Sequence, residues 1–248
     1  MKTIDNFSMK IIPAIDIMDG KCVRLRQGDF AQKTVYSDDP IEMARSFEAH
    51  GLSYLHVVDL DGARNGRICN ADVLARIAAA TDLKIDFGGG IRTDSDLQLA
   101  LDSGAQQVNL GSIAVREPET VMRWLGRYGG DRLLLGADCR QRQIMVDGWQ
   151  SSAAMDLLAH IRRFIPYGLQ TVVCTDIARD GMLTGPSTAL YKELIAETGL
   201  NIIASGGVSS LADLAELQAA GCRGAILGKA LYENRISLPD LQQFSVPC

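Results

Sequence analysis

The residues of this sequence best suited to moving protons are Asp16 and Asp138, each near the end of an apolar run, at 10–17 and 133–138. A carboxylate at the end of a buried strand is costly unless it is paired or hydrogen-bonded. For one such aspartate, bonds from neighbouring loop amides explain it as well as chemistry does. Two at equivalent strand ends favour chemistry in which one carboxyl gives a proton while the other takes one.

Glycines form the second group. Residues 85–93 read Ile-Asp-Phe-Gly-Gly-Gly-Ile-Arg-Thr, and residues 202–210 read Ile-Ile-Ala-Ser-Gly-Gly-Val-Ser-Ser. The echo has a constant spacing of 117 residues, from Gly89 to Gly206, Gly104 to Gly221 and Gly111 to Gly228; Asp96-Leu97 likewise returns as Asp213-Leu214. Such an ungapped echo marks a repeated unit. Glycine lets backbone N–H groups approach a phosphate closely, and helix starts add a favourable dipole. An isolated Gly-Gly is more simply a tight turn. Two matched sets point instead to two anion sites, one formed by Gly90, Arg92, Gly111 and Ser112, the other by Gly206, Gly207, Gly228 and Lys229. Two phosphate pockets with carboxylates between them suit a substrate phosphorylated at both ends.

The elements that must hold these groups follow from the apolar pattern. Strands are expected at 10–17, 54–60, 83–87, 107–110, 133–138, 171–176, 201–204 and 224–227. Helices are expected at 40–50, 70–80, 93–103, 118–128, 155–164, 187–197 and 211–219, with short closing helices at 229–232 and 240–244. Residues 61–66 and 178–186 read as loops, 141–149 as a short ribbon turning at Asp147-Gly148, and 21–36 as a longer segment carrying Arg24, Arg26, Gln27 and Asp29. Near-continuous apolar strands alternating with helices imply a parallel sheet covered on both faces. The count favours a closed (β/α)8 TIM barrel over an open doubly wound sheet, which usually carries its phosphate glycines after strand one. The echo divides it into two half-barrels, about 9–125 and 126–248, within a single domain, with residues 1–8 as an N-terminal extension. In such a barrel the site lies at the C-terminal strand ends. Those ends include Asp16, Asp59, Asp138 and Thr175-Asp176. Asp16 and Asp138 then face each other from strands one and five.

Length and composition agree. The chain has 248 residues, 47% apolar and 22% charged, with a formal net charge of −5. That is a globular core-forming composition whose mild acidity argues against non-specific nucleic-acid binding. Six dispersed cysteines without C-x-x-C read as reduced thiols of a cytoplasmic protein. No run approaches a membrane span or a signal-peptide core. No His, Cys and carboxylate grouping has metal-ligand spacing, and Ser-His-Asp and Walker patterns are absent. His50 and His160 fall on helices as surface or packing residues. His56 on strand two points inward near Asp16 or packs in the core. Trp149 is a packing anchor or an aromatic lid over a planar substrate ring, and a ribbon at the mouth favours the lid.

Residues 11–29 (Ile-Ile-Pro-Ala-Ile-Asp-Ile-Met-Asp-Gly-Lys-Cys-Val-Arg-Leu-Arg-Gln-Gly-Asp), 55–63 (Leu-His-Val-Val-Asp-Leu-Asp-Gly-Ala) and 88–92 (Gly-Gly-Gly-Ile-Arg) resemble the ProFAR isomerase family of histidine biosynthesis. So do 138–140, 147–149 (Asp-Gly-Trp), 175–181 (Thr-Asp-Ile-Ala-Arg-Asp-Gly) and 204–207. The resemblance runs from Met9 to about Phe244. It implies an Amadori rearrangement of an aminoaldose to an aminoketose, on a small molecule with a ribose phosphate at each end of an imidazole carboxamide. It implies Asp16 as base and Asp138 as general acid. Arg24, His56, Trp149, Thr175 and Asp180 match residues that orient or cover the substrate. No cofactor is implied, because the imine nitrogen is the electron sink; a monomer without membrane or nucleic-acid partners is expected. The sister cyclase family carries Cys-Leu-Asp-Val and a lysine where this chain has Ala14-Ile-Asp-Ile17 and Arg24. A barrel that also isomerises phosphoribosylanthranilate is compatible with the same residues. A catalytically dead phosphate-sensing scaffold fits poorly with retention of both aspartates.

Overall fold

The computed structural model describes residues 9–26, 28–146 and 148–244. Residues 1–8, read as an extension, and Gln27, Asp147 and Cys248 lie outside the described residues. In chain order, β1 (Lys10–Met18) is followed by β2 (Lys21–Arg26), β3 (Asp29–Ser37), α1 (Pro40–Ala49), β4 (Tyr54–Asp59), α2 (Leu60–Asn65) and α3 (Ala71–Ala80). Next come β5 (Lys84–Gly88), α4 (Asp94–Asp102), β6 (Gln107–Leu110), α5 (Ser112–Arg116), α6 (Pro118–Tyr128), β7 (Leu133–Arg140), β8 (Gln143–Val146) and β9 (Ser151–Asp156). The chain continues through α7 (Leu157–Arg162), β10 (Thr171–Asp176), α8 (Thr188–Thr198), β11 (Asn201–Ser205), α9 (Leu211–Ala219), β12 (Gly224–Leu227) and α10 (Lys229–Tyr232). Short 3-10 turns occupy Ile165–Tyr167 and Pro239–Phe244.

Strands β1, β4, β5, β6, β7, β10, β11 and β12 pair in parallel in that order, and β12 returns to β1, closing the ring. The fold is a (β/α)8 TIM barrel. Side chains alternate across each strand, which separates two cores. Ile12, Ala14, Leu134, Val173, Ile203 and Ile226 pack together inside the barrel as its floor. The opposite parity, including Ile15, Val57, Phe87, Val108, Leu135 and Cys174, packs outward against the helices. At about 25 cal/mol per Å² of apolar surface removed from water, this outer layer is the main source of stability.

The helices start where side chains can satisfy their first N–H groups. Asp39 caps α1 through Ile41 N, with Pro40 as first helical residue. Thr93 with Asp96, and Ser210 with Asp213, form matching capping boxes on α4 and α9, 117 positions apart.

Four features differ from the sequence reading. Residues 21–36 contain the β2–β3 hairpin, antiparallel on β1; β3 is largely exposed and shows no apolar alternation. The 61–66 loop is mostly the short helix α2, started by Asp59, whose side chain accepts from Gly62 N. An additional short helix, α5, follows β6. The ribbon extends through β9, so the expected 155–164 helix begins at Leu157, where Asp156 accepts from Ala159 N. No helix among the described residues is long and apolar enough to cross a membrane.

Candidate active site

A cavity of about 510 Å³ opens at the C-terminal ends of the barrel strands. Strand parity decides which residues face it. Asp16 is in register with Val58 and Asp138 with Thr175, and all four line the cavity. Asp59 and Asp176 stand one residue further along and point the other way. Asp59 is fully buried and accepts from Gly62 N, Cys69 N and both Asn70 nitrogens. Asp176 accepts from Ala178 N and Ser187 Oγ. Neither reaches the cavity; these two strand-end aspartates organise loops.

The two inward aspartates have different partners. Arg24 on β2 donates from Nη1 to Asp16 Oδ2 at 3.0 Å, and its Nη2 lies 3.5 Å from Asp180 Oδ1. Burial pushes the Asp16 carboxyl above the usual carboxylate range; Arg24 opposes this, while Asp180 adds to it. Burial disfavours the guanidinium charge too, but Asp16 and Asp180 outweigh it and raise its proton affinity. Across the cavity, Trp149 donates from Nε1 to Asp138 Oδ2 at 2.8 Å. Burial again raises the Asp138 carboxyl, against the hydrogen bonds from Thr175 and Trp149 and with the help of Asp180.

The hairpins that supply Arg24 and Trp149 meet over the mouth. Gly28, at the β2–β3 turn, leaves room that the Trp149 ring fills, and Phe30 lies beside Gly148. Trp149 itself adopts φ 72°, a left-handed conformation unusual for its type. It is therefore a cover that touches an aspartate, which joins the two readings of this residue.

The glycine sets lie on two sides of the same cavity. Gly90 (φ 81°) and Gly207 (φ 88°) are matched left-handed positions where a side chain would run into the backbone of Arg67 and of Gly185. Gly228 is required differently: the Arg24 guanidinium packs where its Cβ would stand, whereas the same direction at Gly111 is open. Lys229 Nζ donates to the Gly181 carbonyl at 3.0 Å. Arg92 is exposed, with its guanidinium against Gly66 at the rim. Ser112 lines the wall.

The fifteen residues given a catalytic or substrate-binding role from the sequence all line this one cavity: Asp16, Arg24, His56, Gly90, Arg92, Gly111, Ser112, Asp138, Trp149, Thr175, Asp180, Gly206, Gly207, Gly228 and Lys229. His56 faces inward, with Nδ1 2.5 Å from Asp86 Oδ1. The sequence reading passed over Asp86 and Asn109. Their signal was available, since each is a polar residue interrupting an apolar strand at the inward parity. Among the described residues no cluster of His, Cys, Asp and Glu has the arrangement of a metal site.

Fold and site together define a (β/α)8 barrel with two inward carboxyl groups and two glycine-lined walls around one cavity. Residues 10–237 match the family model described as histidine biosynthesis protein. The chain is 50% identical over 237 residues to a protein of Flavobacterium psychrophilum, covering 95% of this chain and 98% of the relative. It is 52% identical to proteins of Parabacteroides distasonis, covering 96% of this chain and all of the relative, and of Bacteroides fragilis, covering 95% and 99%. Each of these relatives is named 1-(5-phosphoribosyl)-5-((5-phosphoribosylamino)methylideneamino)imidazole-4-carboxamide isomerase, the ProFAR isomerase. The chain belongs to the histidine biosynthesis protein family.

Proposed function

We propose that the chain performs an Amadori rearrangement of ProFAR, with Asp138 as general acid and Asp16 as base. It is an isomerase of histidine biosynthesis. Protonated Asp138 donates to the ribose ring oxygen; the C1–O bond breaks as the amine nitrogen lone pair forms C=N. Ionised Asp16 then takes the C2 proton. The C–H electrons form C1=C2, and those of the C=N bond return to nitrogen, giving an enol-amine. Protonation at C1 and loss of the hydroxyl proton at C2 give the ketone. The step is redox-neutral overall, so the mechanism draws on no cofactor.

The observation that carries this reading is the pair of inward aspartates on strands across the barrel, one paired with a cation and the other held by neutral donors. Arg24 supplies a counter-charge for the carboxylate that must be ionised. Burial favours the protonated form needed at Asp138. Arg24, His56, Trp149, Thr175 and Asp180 orient or cover the substrate. Gly90, Arg92, Gly111 and Ser112 hold one phosphate; Gly206, Gly207, Gly228 and Lys229 hold the other. Binding energy from both ends positions the reacting carbons between the aspartates. We further take the barrel as one domain of two half-barrels, about 9–125 and 126–248, acting as a cytoplasmic monomer.

The test is an assay of purified protein with ProFAR and, separately, with phosphoribosylanthranilate. Isomerisation of ProFAR supports the reading, and turnover of the second compound too would make the barrel dual-substrate. Absence of ProFAR turnover would overturn it.

A further inference from the structure

Asp86 takes no part in the chemistry proposed above, yet its carboxyl is buried inside the barrel. It sits on β5 in register with His56 on β4 and is 5% exposed. It does not reach the cavity wall, whereas His56 does. Its Oδ1 is 2.5 Å from His56 Nδ1. An ionised carboxylate only accepts, so Nδ1 carries a proton and Nε2 is the ring nitrogen left for the cavity. A carboxylate at this depth without a partner would be costly. The two side chains therefore fix each other.

We infer that Asp86 is a positioning residue for the isomerisation: it fixes the His56 ring with Nδ1 as donor and Nε2 left for the cavity, and its negative charge favours a positive ring that balances the carboxylate of Asp16. The inference deepens the acid–base reading of this site and rests on it. The charged groups acting on His56 are Asp86 from β5, Asp16 from β1 and Asp138 from β7. Arg24 from β2 and Asp180 from the loop after β10 act on Asp16. Lower in the barrel, Lys10 and Lys84 lie over the Tyr54 ring at 4.6 and 5.6 Å, and Asp86 also acts on Lys10.

The charge arrangement explains why such a group is needed. Arg24 is committed to Asp16 and Asp180, and Asp138 is held by Trp149. A positive ring at His56 supplies a second counter-charge for ionised Asp16. Burial disfavours a charged His56, but Asp86, its hydrogen bond and the two aspartates outweigh that cost and raise its proton affinity. His56 in turn lowers the proton affinity of Asp16 and of Asp138. Without Asp86, the ring would lose its proton more readily. Asp16 would then ionise only at higher pH.

Two measurements test this. The first is the imidazole 15N spectrum of substrate-free protein as a function of pH, with the His56 signal identified by its loss in His56→Gln. The second is the pH profile of kcat with ProFAR for wild type, Asp86→Asn and Asp86→Glu. His56 should hold its second proton to higher pH than an ordinary imidazole in wild type and lose it at lower pH in Asp86→Asn. The acid limb of kcat should move up by about one pH unit in Asp86→Asn and return part of the way in Asp86→Glu. A His56 that titrates in wild type at or below the ordinary imidazole value would overturn the inference. So would a lower rate in Asp86→Asn with an unmoved acid limb, which is the mark of a purely structural role. If Asp86→Asn does not fold, the wild-type spectrum and the Asp86→Glu profile decide. The spectrum needs no substrate, so it separates failure of this inference from failure of the ProFAR reading.

Discussion

Arg24 and Trp149 approach the two inward aspartates from hairpins attached to β1 and β7, and they leave the carboxyls in unlike surroundings. A guanidinium favours ionised Asp16; a neutral indole N–H places a weaker demand on Asp138. This asymmetry gives a signed prediction. In the proposed mechanism Asp16 works only when ionised, so the low-pH limb of kcat follows its carboxyl. Arg24→Met removes the main influence lowering the Asp16 pKa, and the limb should move upward by about one pH unit or more. A pH profile with an unmoved limb would show that the ion pair does not tune the base. Asp16 and Asp138 were legible in the sequence because they stand at equivalent strand ends on opposite sides of the ring. Asp86 was hidden by its position within an apolar run, where a polar residue reads as a blemish until strand parity turns it inward.

At the scale of elements, the eight barrel strands and their helices were readable because burial on both faces leaves long apolar runs. The β2–β3 hairpin was not. Its strands gain their order from backbone pairing with β1, and β3 is mostly exposed, so the pattern carries no periodicity. The short α2 was masked by Asp-Gly, which reads as a turn until Asp59 is seen capping it. Helix α7 offers a test independent of function. His160 is 1% exposed, packs edge-on against Phe164, and neither ring nitrogen has a hydrogen-bond partner among the described residues. Burial, with help from Arg163, pushes its pKa down to about 4 from the ordinary 6.5 of a histidine. Between those pH values the unfolded chain binds the proton that the folded chain refuses. Stability is therefore intact above pH 6.5 and falls as pH drops towards 4, by up to about 3 kcal/mol from this residue. Denaturant titrations of His160→Leu should show a shallower loss over that range than wild type; equal slopes would contradict this account of the ring.

Across the whole molecule, the two glycine-lined walls share capping boxes, left-handed glycines and a 117-residue spacing. They stand on either side of the inward aspartates, and the proposed bis-phosphate reaches both. Lys229→Ala removes a cation from one wall while leaving the aspartates in place. It should raise KM for ProFAR by roughly tenfold with a smaller change in kcat; an equal or larger fall in kcat would place Lys229 in the chemistry instead. The central claim is that one aspartate gives a proton and the other takes one. The most direct measurement is steady-state turnover of ProFAR by Asp16→Asn and Asp138→Asn beside wild type. Each variant should lose about 10²- to 10⁴-fold in kcat while binding substrate nearly as well as wild type. A near-full rate in either would contradict the assignment.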